Sequence, residues 1–182
     1  MMNHQEMVDR ILQMGAQNAA VVPMEEVRFE LSFRDMCASN ACGMYGKSWM
    51  CPPYVGEAEE LIARAKGYQY LLVYQTIGEL EDSYDFEGMM EAGQKMNDLT
   101  QRVRDELKDD IGADSLLLGA GGCRLCPVCA KREEKPCRFP EKALASLEAY
   151  CISVSELAAS GGMKYINGQN TVTYFGAVLF HE

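Results

Sequence analysis

Residues 115–129 read Ser-Leu-Leu-Leu-Gly-Ala-Gly-Gly-Cys-Arg-Leu-Cys-Pro-Val-Cys. A short apolar run, Ser115 to Gly119, opens directly onto three cysteines at two-residue spacing. An apolar run too short for a helix and closed by glycines reads as a buried strand. Upstream, Tyr68 to Ile77 is a nearly continuous aromatic and β-branched run, a second buried strand. Between the two, Met89, Ala92, Met96, Leu99, Val103, Leu107 and Ile111 step by three or four along Phe86 to Ile111. That is the apolar stripe of one long helix, with an acidic, solvated face opposite. Strand, helix, strand is a βαβ unit, for which a right-handed crossover is the rule. The reading is an α/β single domain over residues 1–182, a mostly parallel mixed sheet flanked by helices. Its two cysteine-rich, metal-binding loops gather at one sheet edge, where open α/β sheets carry their sites.

The remaining elements follow the same logic. Met7, Ile11, Leu12 and Met14 mark a short amphipathic helix ending near Gly15. Ala19 to Val22 reads as a strand stopped by Pro23, and the alternation of Val27, Phe29, Leu31 and Phe33 as a half-buried one. Glu57 to Lys66 is a helix whose acids lead and whose Lys66 closes, as its dipole prefers. After Pro140, a helix is expected over Glu141 to Tyr150 and a shorter one over Val154 to Ser160. Thr171 to Phe180 is the last apolar strand.

The cysteine run is the chemical signal. Cys123, Cys126, Cys129 and Cys137 form a C-x2-C-x2-C-x7-C array. Closely spaced thiols on a tight turn can converge on one compact object, and bacterial ferredoxins hold a [4Fe–4S] cluster with such a run. Zinc is the rival, although structural zinc sites usually draw ligand pairs from two knuckles. A disulfide framework fits poorly, because cysteines at x2 spacing cross-link each other badly. Cys37, Cys42 and Cys51 form a second candidate set at x4 and x8 spacing, in a loop punctuated by Gly43, Gly46 and Pro52-Pro53. The plain alternative is that they are small buried hydrophobes. Seven thiols thus split as four plus three, and three thiolates leave a cluster iron open. Cys151 reads as a core residue, and Tyr45 and Trp49 as packing. Gly119, Gly121 and Gly122 are candidate cofactor-binding residues, because their backbone can approach cluster sulfides. They are no dinucleotide fingerprint: the third glycine position falls on Arg124. Arg124, Lys131, Arg132, Lys135 and Arg138 form either a rim offsetting cluster charge or ordinary surface.

Composition narrows the classes. The 182 residues carry a net charge of −10, which excludes a general nucleic-acid binder. Eight cysteines without a secretory signal read as reduced thiols, and no apolar run is long enough for a membrane span, so the expectation is a cytoplasmic protein. His4 and His181, the two histidines, sit near the chain ends, where fraying is the rule. Cys/His and Ser/His dyads are therefore not expected.

Tyr45-Gly-Lys-Ser-Trp-Met-Cys-Pro-Pro53, the four-cysteine array with its trailing Arg-x-Pro, then Ser146-Leu-Glu-Ala-Tyr150 and Ile152-Ser-Val154 resemble a prokaryotic cysteine-rich family. Its members are predicted metal-binding proteins of unknown function, most at home in anaerobes. The resemblance covers nearly the whole chain and implies metal binding without a reaction. Where the family leads one to expect a glycine after Glu-Ala-Tyr, this chain has Cys151. The functional expectation is an iron–sulfur protein with one or two [4Fe–4S] clusters, passing electrons to a redox partner protein. A zinc-stabilised interaction module and a small reductase with an open cluster iron are the alternatives.

Overall fold

The computed structural model describes residues 2–182. The first helix, α1 (His4–Met14), starts under a reciprocal cap: Glu6 N–H donates to Asn3 Oδ1 at 3.0 Å and Asn3 N–H donates to Glu6 Oε2 at 2.8 Å. There follow β1 (Asn18–Pro23), α2 (Ser32–Ala38), α3 (Ala58–Lys66), β2 (Tyr70–Glu79) and α4 (Phe86–Ile111). The chain closes with β3 (Leu116–Gly119), β4 (Ala145–Ser146), α5 (Val154–Ser160) and β5 (Thr171–Phe180). The long helix spans the residues its stripe predicts, and Asp85 caps it by accepting from Gly88 N–H at 2.9 Å.

The sheet is a mixed one of five strands in the order β1-β2-β5-β3-β4. It is not mostly parallel. Only β3 and β4 pair in parallel, while β1 with β2, β2 with β5, and β5 with β3 are antiparallel. The β2-α4-β3 unit is present, but β5 inserts between its two strands. Local order shows the crossover; it cannot show that the last strand of the chain fills the gap.

Both sheet faces are covered, which is why β2 and β5 read as unbroken apolar runs. Leu71 and Val73 join one buried cluster with Leu118, Leu147, Ile152, Leu157, Phe175 and Leu179. Leu72 and Tyr74 face the other way, toward Ile11 of α1 and Met96, Val103 and Leu107 of α4. Tyr74 is fully buried and its hydroxyl bonds Thr100 Oγ1 at 2.7 Å. Its ring lies 2.5 Å from where a Cβ on Gly176 would stand, so only glycine fits there.

Three local expectations fail. Val27–Phe33 is not a strand: it forms a single bridge, Phe29 to Ile152, and α2 begins within it at Ser32. Glu141–Tyr150 is not a helix: Ala145-Ser146 pairs with β3, and a 3₁₀ turn, Glu148–Tyr150, follows. Sheet pairing here overrides helix propensity. The chain ends are packed as well. His4 sits edge-on to Tyr70 at 4.5 Å, and His181 stacks on Tyr68 at 5.0 Å.

Candidate metal centre

The β3 and β4 strands, the parallel pair, leave the sheet at the same edge. Beyond Gly119 runs the loop to Cys123, and beyond Ser146 runs the turn holding Glu148. The Cys37–Cys51 segment folds against both. Asn40 accepts from Tyr45 N–H at 3.1 Å, Gly46 N–H reaches Pro52 O at 2.9 Å, and Gly43 and Gly46 take positive φ. Arg34 of α2 anchors the segment, donating to Ala149 O at 2.9 Å and Gly56 O at 2.6 Å.

Seven thiols gather round two cavities. Cys123, Cys126, Cys129 and Cys137 line one of about 20 Å³, closed by Trp49, Leu125, Arg138 and Phe139. Cys37, Cys42 and Cys51 line another of about 230 Å³, together with Gly121, Gly122, Ser146 and Glu148. Met50 faces both, and a Cβ on Gly122 would stand 3.8 Å from Cys51 Sγ. The two cavities are therefore neighbours. Among the described residues no three His, Cys, Asp or Glu side chains converge tightly enough to hold a single ion.

Of the three glycines, Gly121 and Gly122 line the larger cavity. Gly119 ends β3 and lines neither, its carbonyl accepting from Leu147 N–H at 3.3 Å. Arg124 does not rim the thiols. Its guanidinium lies across α4 at Gly93, over the Tyr174 ring at 5.8 Å. Lys131 is also withdrawn from the surface: it is 4% exposed, lies 4.3 Å from the Tyr54 ring centre and 5.3 Å from that of Trp49, and pairs with Glu134. Trp49 Nε1 donates to Lys135 O at 2.8 Å. Trp49 and Lys131 together pin one cysteine segment to the other, so packing is the role the structure gives Trp49. Cys151 is fully buried, lines neither cavity and has φ 60°.

The thiols differ electrostatically. Burial pushes Cys51 up to about 11, with Ser48 pulling the other way and Cys42, Cys37 and Cys123 adding to the rise. Cys37 is raised too, by burial and then by Cys42. A thiolate in that cavity needs a positive charge beside it. At Cys129 burial also raises the thiol, but N–H groups of Lys131 and Trp49, the Ser48 hydroxyl and Arg138 together bring it below its ordinary value. Ser48, 1% exposed, thus lowers one thiol of each set.

Two residues at this edge are absent from the sequence reading. Ser48 showed only as part of a loop. Glu148 lay inside a segment taken for a helix, and burial pushes its carboxyl upward. The motif Ser146-Leu-Glu-Ala-Tyr150 was the available signal.

Residues 20–180 match the family described as predicted metal-binding protein (DUF2284). The chain belongs to that family. No curated protein and no solved structure matches it. As a member of the DUF2284 family the chain is a predicted metal-binding protein, and it carries eight cysteines. No helix among the described residues is long and apolar enough to cross a membrane.

Proposed function

We propose that this protein is an iron–sulfur electron carrier with two adjacent cluster sites. The observation that carries the reading is the separation of seven thiols into two neighbouring cavities, four in one and three in the other. Soft thiolate sets of this size suit iron–sulfur clusters, so the donor chemistry fits. Cys123, Cys126, Cys129 and Cys137 would hold one cluster, and Cys37, Cys42 and Cys51 a second. A [4Fe–4S] cluster supplies one-electron chemistry when bound.

The chain's own residues serve such a role. Trp49, Leu125 and Phe139 give the four-thiol cavity an apolar wall. Val128 and Phe139, both exposed, lie in the same segment and offer apolar surface to a redox partner protein. Ser48 lines the four-thiol cavity and lowers one thiol of each set, and hydrogen bonds to sulfur raise a cluster's potential.

A second reading rests on the small volume of the four-thiol cavity. About 20 Å³ is little room for a cluster, and a zinc ion bound with some closing of the thiols is the alternative. Anaerobic purification with metal and sulfide analysis decides. Brown protein with about eight iron and eight acid-labile sulfide per chain supports two clusters. Colourless protein with about one zinc per chain supports the structural ion.

A further inference from the structure

The larger cavity holds three thiols, and a four-iron cluster has four irons to ligate. The same wall carries a carboxylate. Glu148 opens the 3₁₀ turn that follows β4, and β4 pairs in parallel with β3 through Leu118–Ala145 and Gly119–Ser146. That pairing brings Glu148 to the edge from which Gly121 and Gly122 also enter the cavity. Its charge is felt at Cys37. We propose that Glu148 is the fourth ligand of the three-thiol site, binding the iron that Cys37, Cys42 and Cys51 leave without a thiolate. The inference rests on the iron–sulfur reading of that cavity.

The other oxygen donors on the wall are less suited. Ser146 Oγ already accepts from Ala149 N–H at 3.0 Å. Tyr45 lies at the rim, 37% exposed. Neither histidine lines the cavity. Among the described residues no lysine, arginine or histidine forms an ion pair with Glu148, so its carboxylate is not neutralised elsewhere. Charge agrees as well: three thiolates and one carboxylate carry the same total charge as four thiolates. A carboxylate is a harder and weaker ligand for such iron than a thiolate. Glu148 therefore holds that iron while leaving it exchangeable, so an added thiol can displace the carboxylate.

The test compares full-length wild type with Glu148→Ala, Glu148→Gln and Glu148→Cys after anaerobic reconstitution. Readouts are iron content, electron paramagnetic resonance of the reduced protein, and the rate of iron loss on mild oxidation. Glu148→Ala and Glu148→Gln are expected to lose one iron about tenfold faster. They are also expected to bind added 2-mercaptoethanol more tightly, with a changed resonance from one cluster alone. Glu148→Cys is expected to slow iron loss below wild type and decides the question if the other variants fold poorly. Wild-type resonance and iron-loss rates in all the variants that fold overturn the assignment of Glu148 while leaving the two-cluster reading intact. Wild-type protein whose iron content is untouched by Cys42→Ser instead removes the second cluster itself, and this inference with it.

Discussion

The two thiol cavities differ more than their cysteine counts suggest. The four-thiol cavity takes all its cysteines from one continuous segment and is small, with Trp49, Leu125 and Phe139 on its wall. The three-thiol cavity is assembled from the end of α2, a glycine-punctuated loop and the edge of a parallel strand pair, and is more than tenfold larger. Metal sites with a full protein ligand set tend to be closed and structural or electron-conducting, while sites with an open position do chemistry. On the reading proposed above, a site of four thiolates and a site of three thiolates with an exchangeable carboxylate would stand side by side. Met50 lines both.

The largest effect is expected from removing the closed site. Cys126→Ser with Cys129→Ser should take about half the iron, since each cluster accounts for about four. Metal binding at a site the unfolded chain cannot form adds directly to folding free energy. The double variant should therefore also melt well below wild type, by scanning calorimetry under argon. Loss of all the iron would show that the two cavities are one cooperative unit. Cys42→Ser should remove the other half of the iron at a smaller cost in melting temperature, because Cys42 is exposed and its cavity open. Equal melting losses from the two variants would erase the distinction between a closed and an open site.

Which side of this comparison was legible in the sequence has a physical explanation. The cysteines of the smaller cavity lie within residues 123–137, so spacing alone gathers them, as the apolar stripe alone delimits Phe86–Ile111. The open site depends on long-range placement. Cys37, Cys42 and Cys51 were readable as a set, but Glu148 was not. It joins them because Ala145-Ser146 pairs with β3 in place of forming the expected helix. The mostly parallel sheet failed for the same reason. No local pattern in Thr171–Phe180 says that this strand inserts between β2 and β3.

A smaller effect is expected at the junction. Ser48→Ala removes a buried hydroxyl that lowers the thiols of Cys51 and Cys129. A hydrogen bond worth about 1 kcal/mol corresponds to about 40 mV for a one-electron couple. The potential should move in the negative direction, because the lost bond favoured the more negatively charged, reduced state. Potentiometric titration followed by electron paramagnetic resonance tells which cluster moves. A shift in both would place Ser48 as a true bridge. A shift in neither would mean that the hydroxyl serves only Met50 N–H, from which it accepts at 3.2 Å.

The smallest effect is expected from Cys151→Gly, and it asks whether the division into four and three thiols is right. Cys151 is fully buried, and Arg34 influences both it and Cys37, so it lies near the open site without lining it. Its φ of 60° falls in the left-handed region, which costs an ordinary residue about 1 kcal/mol and glycine almost nothing. That conformation accounts for the glycine that the family resemblance led one to expect there. Glycine would relieve the strain and lose the burial of a small side chain, worth about 1 kcal/mol in the opposite direction. Denaturant unfolding of Cys151→Gly should therefore stay within about 1 kcal/mol of wild type, with iron and spectra unchanged. Cys151→Val keeps an apolar side chain but adds a β-branch at positive φ, and should be clearly less stable. Iron lost from Cys151→Gly at unchanged stability would make Cys151 an eighth ligand. The open site would then hold four thiolates, Glu148 would have no iron left to bind, and the two cavities would differ in size alone.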